Sequence, residues 1–197
     1  MRITPGGPDD VGTVLALLDD ATAWLVEIGR TGQWGTQPRS ANPRGVAQIT
    51  EWAETGRLHL ARIDGEVAGA LAVGEAMPYV PPATEPELYV NLLVTSRAFA
   101  GRGVGARLLD HARAMARERG AHQLRVDCYG GDDRALVRYY ERQGFTATDV
   151  FAVGEWPGQI LVERLRSGNS IGVDLIRITF FPLMKSIGRI VRDTTTR

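Results

Sequence analysis

At 197 residues, with 44% hydrophobic and 23% charged side chains, the chain has the make-up of one globular domain with at most a short appendage. Its 23 basic and 23 acidic side chains cancel, which excludes a global pull toward nucleic acid or anionic lipid and makes any anion site local. A single cysteine, Cys128, excludes an internal disulfide and a cysteine-based structural zinc cluster.

The first eight residues lack a charged segment followed by an apolar run, and no stretch reaches the roughly 20 apolar residues of a membrane span. A cytoplasmic protein is expected. Arg166–Arg197 departs in composition from what precedes it, holding the one lysine and five of the ten isoleucines. With 17 basic and 21 acidic residues before it, the body is mildly acidic and the tail carries +4. Residues 1–165 are therefore read as the folded domain and 166–197 as a C-terminal appendage. Ile171, Leu175, Ile178 and Phe181 give that tail amphipathic character, which suits packing on the body, a homodimer contact or a membrane surface.

In chain order, Arg2–Thr4 reads as a strand. Asp9 or Asp10 can cap a helix whose apolar positions run from Val11 to Ile28 and which Gly29 or Gly32 ends. Residues 32–45, rich in Gly, Pro, Ser and Asn, read as a loop, and Val46–Glu54 as a second helix. Leu58–Ile63 and Val67–Val73 read as a hairpin about Asp64-Gly65. A proline cluster, Pro78 to Pro86, precedes the strand Leu88–Val94. Then follow a helix over Val104–Arg119, a strand Leu124–Cys128, a short helix Arg134–Gln143 and closing strands Phe145–Val153 and Gln159–Leu165. The order describes a single α/β (α+β) domain.

Ala100-Gly101-Arg102-Gly103-Val104-Gly105-Ala106 lies between a strand and an amphipathic helix. Glycines let a ligand approach the backbone, and a helix start presents unpaired N–H groups with about half a positive charge. The combination favours a phosphate. Gly101, Gly103 and Ala106 also fit the dinucleotide pattern G-x-G-x-x-[GA], with Asp127 21 residues past Ala106 as the ribose ligand of an oxidoreductase. Against that reading, Thr95–Ala100 separates strand from glycine, and further β-α units are missing.

From Leu88 to Phe145 the sequence resembles the GCN5-related N-acetyltransferase superfamily. Gly103 and Gly105 match the glycines of its acyl-CoA loop, Gln or Arg followed by x-x-Gly-x-[Gly/Ala], while Ala100 replaces the leading Gln or Arg. Tyr140, Gly144 and Phe145 match its Tyr-x-x-x-Gly-Phe element. The resemblance implies a mostly antiparallel mixed sheet flanked by helices and splayed between its fourth and fifth strands, with acetyl-CoA as donor. Backbone groups at Arg102, Gly103, Val104, Gly105 and Ala106 would hold the pyrophosphate, and those at Leu93 or Val94 would polarise the acetyl carbonyl. Asp133 stands where relatives have Asn and can cap the last helix. Tyr140 would protonate the departing CoA thiolate.

Alternation along Glu87–Val94 puts Leu88, Val90, Leu92 and Val94 on one face and Glu87, Tyr89, Asn91 and Leu93 on the other. The second face is expected to line the acceptor cleft, with Glu87 as base and Tyr89 or Asn91 orienting the amine. Trp24, Gln33 and Trp34 would wall a pocket for a small-molecule amine, with Tyr79 at its rim. Cys128 reads as a small buried hydrophobe. His59, His111 and His122 lack metal or triad spacing, so no metal is expected. The expectation is an acetyl-CoA-dependent N-acetyltransferase; a catalytically silent acyl-CoA sensor would keep the glycine loop yet ignore loss of the Tyr140 hydroxyl.

Overall fold

Glycine-containing turns and a few short-range caps set the element ends in a computed structural model that describes residues 1–131 and 133–165. The amphipathic tail, residues 166–197, lies outside the described residues. Strand β1 (Arg2–Pro5) is followed by a single 3-10 turn at Pro8–Asp10 and helix α1 (Val11–Glu27). Asp10 holds the N-cap position without bonding a helix N–H; its carboxylate accepts from Gly7 N at 2.9 Å and pairs with Arg62 at 2.7 Å. Gly29, at φ 73°, ends α1, with Arg30 N donating to Leu25 O at 2.7 Å.

Helix α2 (Pro43–Glu54) starts three residues before the apolar periodicity, because Asn42 accepts from Arg44 N at 3.0 Å and Pro43 fills the first position. Such a cap carries no hydrophobic signal. Strands β2 (Leu58–Ile63) and β3 (Glu66–Gly74) turn at Asp64-Gly65, both with positive φ, as a two-residue hairpin of this sequence requires. β4 (Glu87–Thr95), α3 (Val104–Glu118), β5 (Gln123–Tyr129), α4 (Ala135–Arg142), β6 (Thr146–Val153) and β7 (Trp156–Arg164) complete the domain.

The seven strands form one sheet in the order β1-β2-β3-β4-β5-β7-β6. All neighbours are antiparallel except β4 and β5, which pair in parallel from Glu87 with Gln123 to Val90 with Val126 and no further. Beyond that point the sheet is open. The cause lies at Asn91: β3 pairs Ala72 with Leu92 but Val73 with Val90, so Asn91 is an extra residue in the ladder. A bulge of this kind bends and twists the strand that carries it.

The bulge also corrects the uniform alternation expected along β4. Leu88 and Val90 pack with Leu108, Leu124 and Val126 beneath α3, but past Asn91 it is Leu93 that joins this layer. Leu92 and Val94 instead meet Leu18, Ile49 and Trp52 of α1 and α2 on the opposite face. One additional residue exchanges the two faces of a strand. The core therefore has two layers, one on each side of the sheet. Leu108 and Leu109 are fully buried, so truncating either to alanine costs about 2–5 kcal/mol. No helix among the described residues is long and apolar enough to cross a membrane.

Candidate active site

Gly101 and Gly103 take left-handed backbone, at φ 76° and 70°, immediately before α3. No side chain caps that helix, and its first backbone bond runs from Arg107 N to Gly103 O at 3.1 Å. The N–H groups of Val104, Gly105 and Ala106 are thus left without a helical carbonyl. These residues line a cavity of about 490 Å³ with Leu93, Thr95 and Tyr140. Open space surrounds Gly103, whereas Gly105 has the Tyr139 hydroxyl where a Cβ would stand. A lining that combines unpaired amides with the apolar Leu93 and Leu136 suits the phosphates and the thin acyl arm of acyl-CoA.

Not every residue expected at this loop faces it. The Arg102 guanidinium lies over the Phe99 ring at 5.5 Å and is absent from the cavity lining. The Val94 side chain points into the core beneath α1 and α2. Asp133 accepts from Ala135 N at 3.0 Å and pairs with Arg30, so it secures the start of α4 and borders a separate pocket. Tyr139 also lines the donor cavity, its hydroxyl close against Gly105.

A second cavity, also about 490 Å³, occupies the gap between β4 and β5. Asn91 to Leu93 form one wall and Asp127 to Tyr129 the other, with Gln33, Trp34, Tyr79 and Trp156 around the opening. The two cavities have Leu93, Leu136 and Tyr140 in common. Tyr140 is buried and sits edge-on to Tyr139 and Phe145, at 5.3 and 5.6 Å. Burial pushes its phenol well above the ordinary value of 10, which keeps the hydroxyl protonated.

Asp127 is the single carboxylate bordering the second cavity among the described residues. Burial raises its pKa, while a 2.6 Å hydrogen bond from the Tyr89 hydroxyl and the charge of Arg125 pull it back down. Tyr89 is fully buried and borders neither cavity, so it supports Asp127 and does not touch an acceptor. The sheet overturns the dinucleotide reading: β4 and β5 are its one parallel pair among the described residues, β5 runs antiparallel to β7 on its other side, and Asp127 lies in the β4–β5 gap.

Glu87 needs the clearest correction. It sits at the closed end of the β4–β5 pair, bound to the buried Arg125 at 3.0 Å, and borders neither cavity. Alternation gave its face but not its distance from the opening. Asn91 borders the gap but is held on both sides, accepting from Arg57 at 3.0 Å and donating to the Glu75 carbonyl at 2.9 Å. Of the three residues expected to wall the pocket, Gln33 and Trp34 do so, and the Gln33 carbonyl accepts from Trp156 Nε1 at 2.9 Å. Trp24 lies outside, under the Arg97 guanidinium at 4.0 Å. Cys128 is buried and burial pushes its thiol up to about 12, far from a thiolate. His59 of β2 and His111 of α3, 52 positions apart, meet at 3.2 Å, a contact that sequence spacing does not signal.

A mixed sheet that opens between its two parallel strands, with a glycine-bounded helix start beside the opening, is the framework of an acyl-CoA-dependent N-acetyltransferase. A family model described as the acetyltransferase (GNAT) family matches residues 19–145, and the chain belongs to that family. The family uses acetyl-CoA as co-substrate. Over 147 residues the chain is 27% identical to the uncharacterized N-acetyltransferase YesJ of Bacillus subtilis (strain 168), covering 72% of this chain and 79% of that one. Two solved structures share the fold. An acetyltransferase of the GNAT family from Listeria monocytogenes superposes with TM-score 0.63 at 24% identity, over 83% of this chain and 94% of its own. A ribosomal-protein-alanine N-acetyltransferase from Brucella melitensis gives 0.62 at 19% identity, over 84% and 100%.

Proposed function

We propose that the protein moves an acetyl group from acetyl-CoA directly to the amine of a small molecule, with Asp127 taking the amine proton and Tyr140 serving the CoA sulfur. The observation that carries this reading is the meeting of the two cavities at Leu93, Leu136 and Tyr140, which lets donor and acceptor bind at once. Holding both reactants in line removes most of the entropic cost of a bimolecular step.

The amides that open α3 bind the CoA phosphates, and acetyl-CoA supplies a thioester whose carbonyl carbon is open to attack. Past Val90 the edge of β4 that faces β5 has no strand partner, so backbone groups of residues 91–95 are free to polarise that carbonyl. The amine lone pair forms the C–N bond, the C–S bond breaks, and the amine proton passes to Asp127 directly or through a water. Desolvation raises the Asp127 pKa and so strengthens its carboxylate as a base. With its pKa above that of a thiol, Tyr140 stabilises the departing sulfur chiefly as a hydrogen-bond donor. A second cavity of about 490 Å³ walled by aromatic rings supports a small acceptor over a folded protein.

Calorimetric titration with acetyl-CoA, with NADH in parallel, tests the donor half, and Asp127→Asn tests the acceptor half. Micromolar acetyl-CoA binding that Asp127→Asn preserves, together with at least a hundredfold loss of turnover, is the expected result. Binding without turnover on any amine would favour a silent acyl-CoA sensor.

A further inference from the structure

The acceptor cavity carries opposite charges at separate points. Asp127 borders it on β5, and Arg39 borders it from the turn before α2; no other ionised side chain among the described residues does so. Arg39 makes no ion pair or hydrogen bond through its guanidinium among the described residues, in contrast to Arg57, Arg113 and Arg125, which are each bound to a carboxylate. Its aliphatic stem lies against Gly45 of α2, and the side chain is otherwise exposed, which leaves the guanidinium to water or to a ligand in the cavity. Tyr79 borders the same cavity, and its phenol feels both Asp127 and Arg39 and, with burial dominant, is pushed up to about 12. Tyr79 is stacked on Phe151 at 5.9 Å, and with Trp34 and Trp156 it gives the cavity an apolar flank.

We infer that the acceptor is an amine that also carries a carboxylate on an apolar body, its amine near Asp127 and its carboxylate on Arg39. This rests on the acetyltransferase reading above. Charge arithmetic selects the class: one anion and one cation on the protein match a zwitterion. A polyamine or aminoglycoside would leave several ammonium groups facing one carboxylate, and a dianionic phosphate would leave a negative charge without a partner. A guanidinium fork suits the two oxygens of a carboxylate, and burying an apolar body against Tyr79 and Trp156 adds affinity.

The test compares phenylalanine, tryptophan, leucine and methionine with the amines formed by removing their carboxyl groups. Binding of each is titrated without acetyl-CoA, and acetylation is followed by thiol release. The amino acids are expected to bind and to exceed their decarboxylated partners at least tenfold in kcat/KM. Arg39→Gln, which keeps the stem over Gly45, should erase that advantage by raising KM for the amino acids at nearly constant kcat, with the simple amines unchanged. Arg39→Lys should restore part of it. Equal use of both sets, a preference for the simple amines, or equal losses on both in Arg39→Gln would overturn the inference. So would the absence of amino-acid binding in a protein that binds acetyl-CoA. Failure to bind acetyl-CoA strikes the acetyltransferase reading instead, and the amino-acid titration still decides whether the charge pair takes a zwitterion.

Discussion

Replacing Tyr89 by phenylalanine removes one oxygen from a fully buried ring and with it the 2.6 Å hydrogen bond to Asp127. The packing of the ring against Val80 and Ile160 is retained. A hydrogen bond to a charged group is worth about 1.5–3 kcal/mol, and one pKa unit corresponds to about 1.4 kcal/mol, so the Asp127 carboxyl should titrate about one to two units higher. The sign follows from which form the hydroxyl favours: it donates to the carboxylate, so its loss favours the protonated acid. An unprotonated Asp127 is required to accept the amine proton, and the acidic limb of kcat/KM against pH should move up by that amount. Activity on the alkaline plateau should change much less. A profile whose acidic limb stays in place, with activity scaled down uniformly, would remove Asp127 from the base's role. The wild-type profile measured with one fixed amine is the control, because the amine's own titration contributes the same limb to both proteins.

Tyr140→Phe should lower kcat by about 10²–10³, as for loss of one hydrogen bond to developing charge, while leaving acetyl-CoA affinity nearly unchanged, as steady-state kinetics and titration will show; unaltered turnover would exclude the hydroxyl from the reaction. Gly103→Glu places a side chain with a negative charge at a left-handed position bordering the donor cavity, and calorimetry should register loss of acetyl-CoA binding. Acid should destabilise the fold through His59, which burial, His111 and Arg119 lower from 6.5 to about 4. A depressed histidine contributes stability above its unfolded pKa, so stability should be lost as pH falls from about 6.5 toward 4, and denaturant melts of His59→Leu should show a weaker dependence, with His111, also lowered by burial, carrying the rest.

Much of the framework was legible from local chemistry. Asp64-Gly65 names its own hairpin, the periodicity from Val104 names α3, and the glycines before it together with Tyr140-x-x-x-Gly144-Phe145 point to acyl-CoA chemistry and to a family membership that the comparison confirms. These features are legible because they depend on residues within a few positions of one another. The start of α2 was hidden by a cap that bears no apolar signal, and the reversal of faces along β4 was hidden by the bulge at Asn91, which exists only because β3 lies alongside.

The gap between β4 and β5 was decided by tertiary structure alone. Glu87 and Asp127 are both acidic residues on strands, and sequence offers no reason to prefer the second. The parallel β4–β5 pairing closes over Glu87, where Arg125 neutralises it, and opens at Asp127, where a cavity and the Tyr89 hydroxyl await it. Arg39 reaches the same cavity from 88 positions away in sequence from Asp127, an encounter that local propensity cannot encode. Side-chain type and short-range spacing determine which elements form and which chemistry is available; where strands part, and therefore which charges face the gap, is settled by how the elements pack.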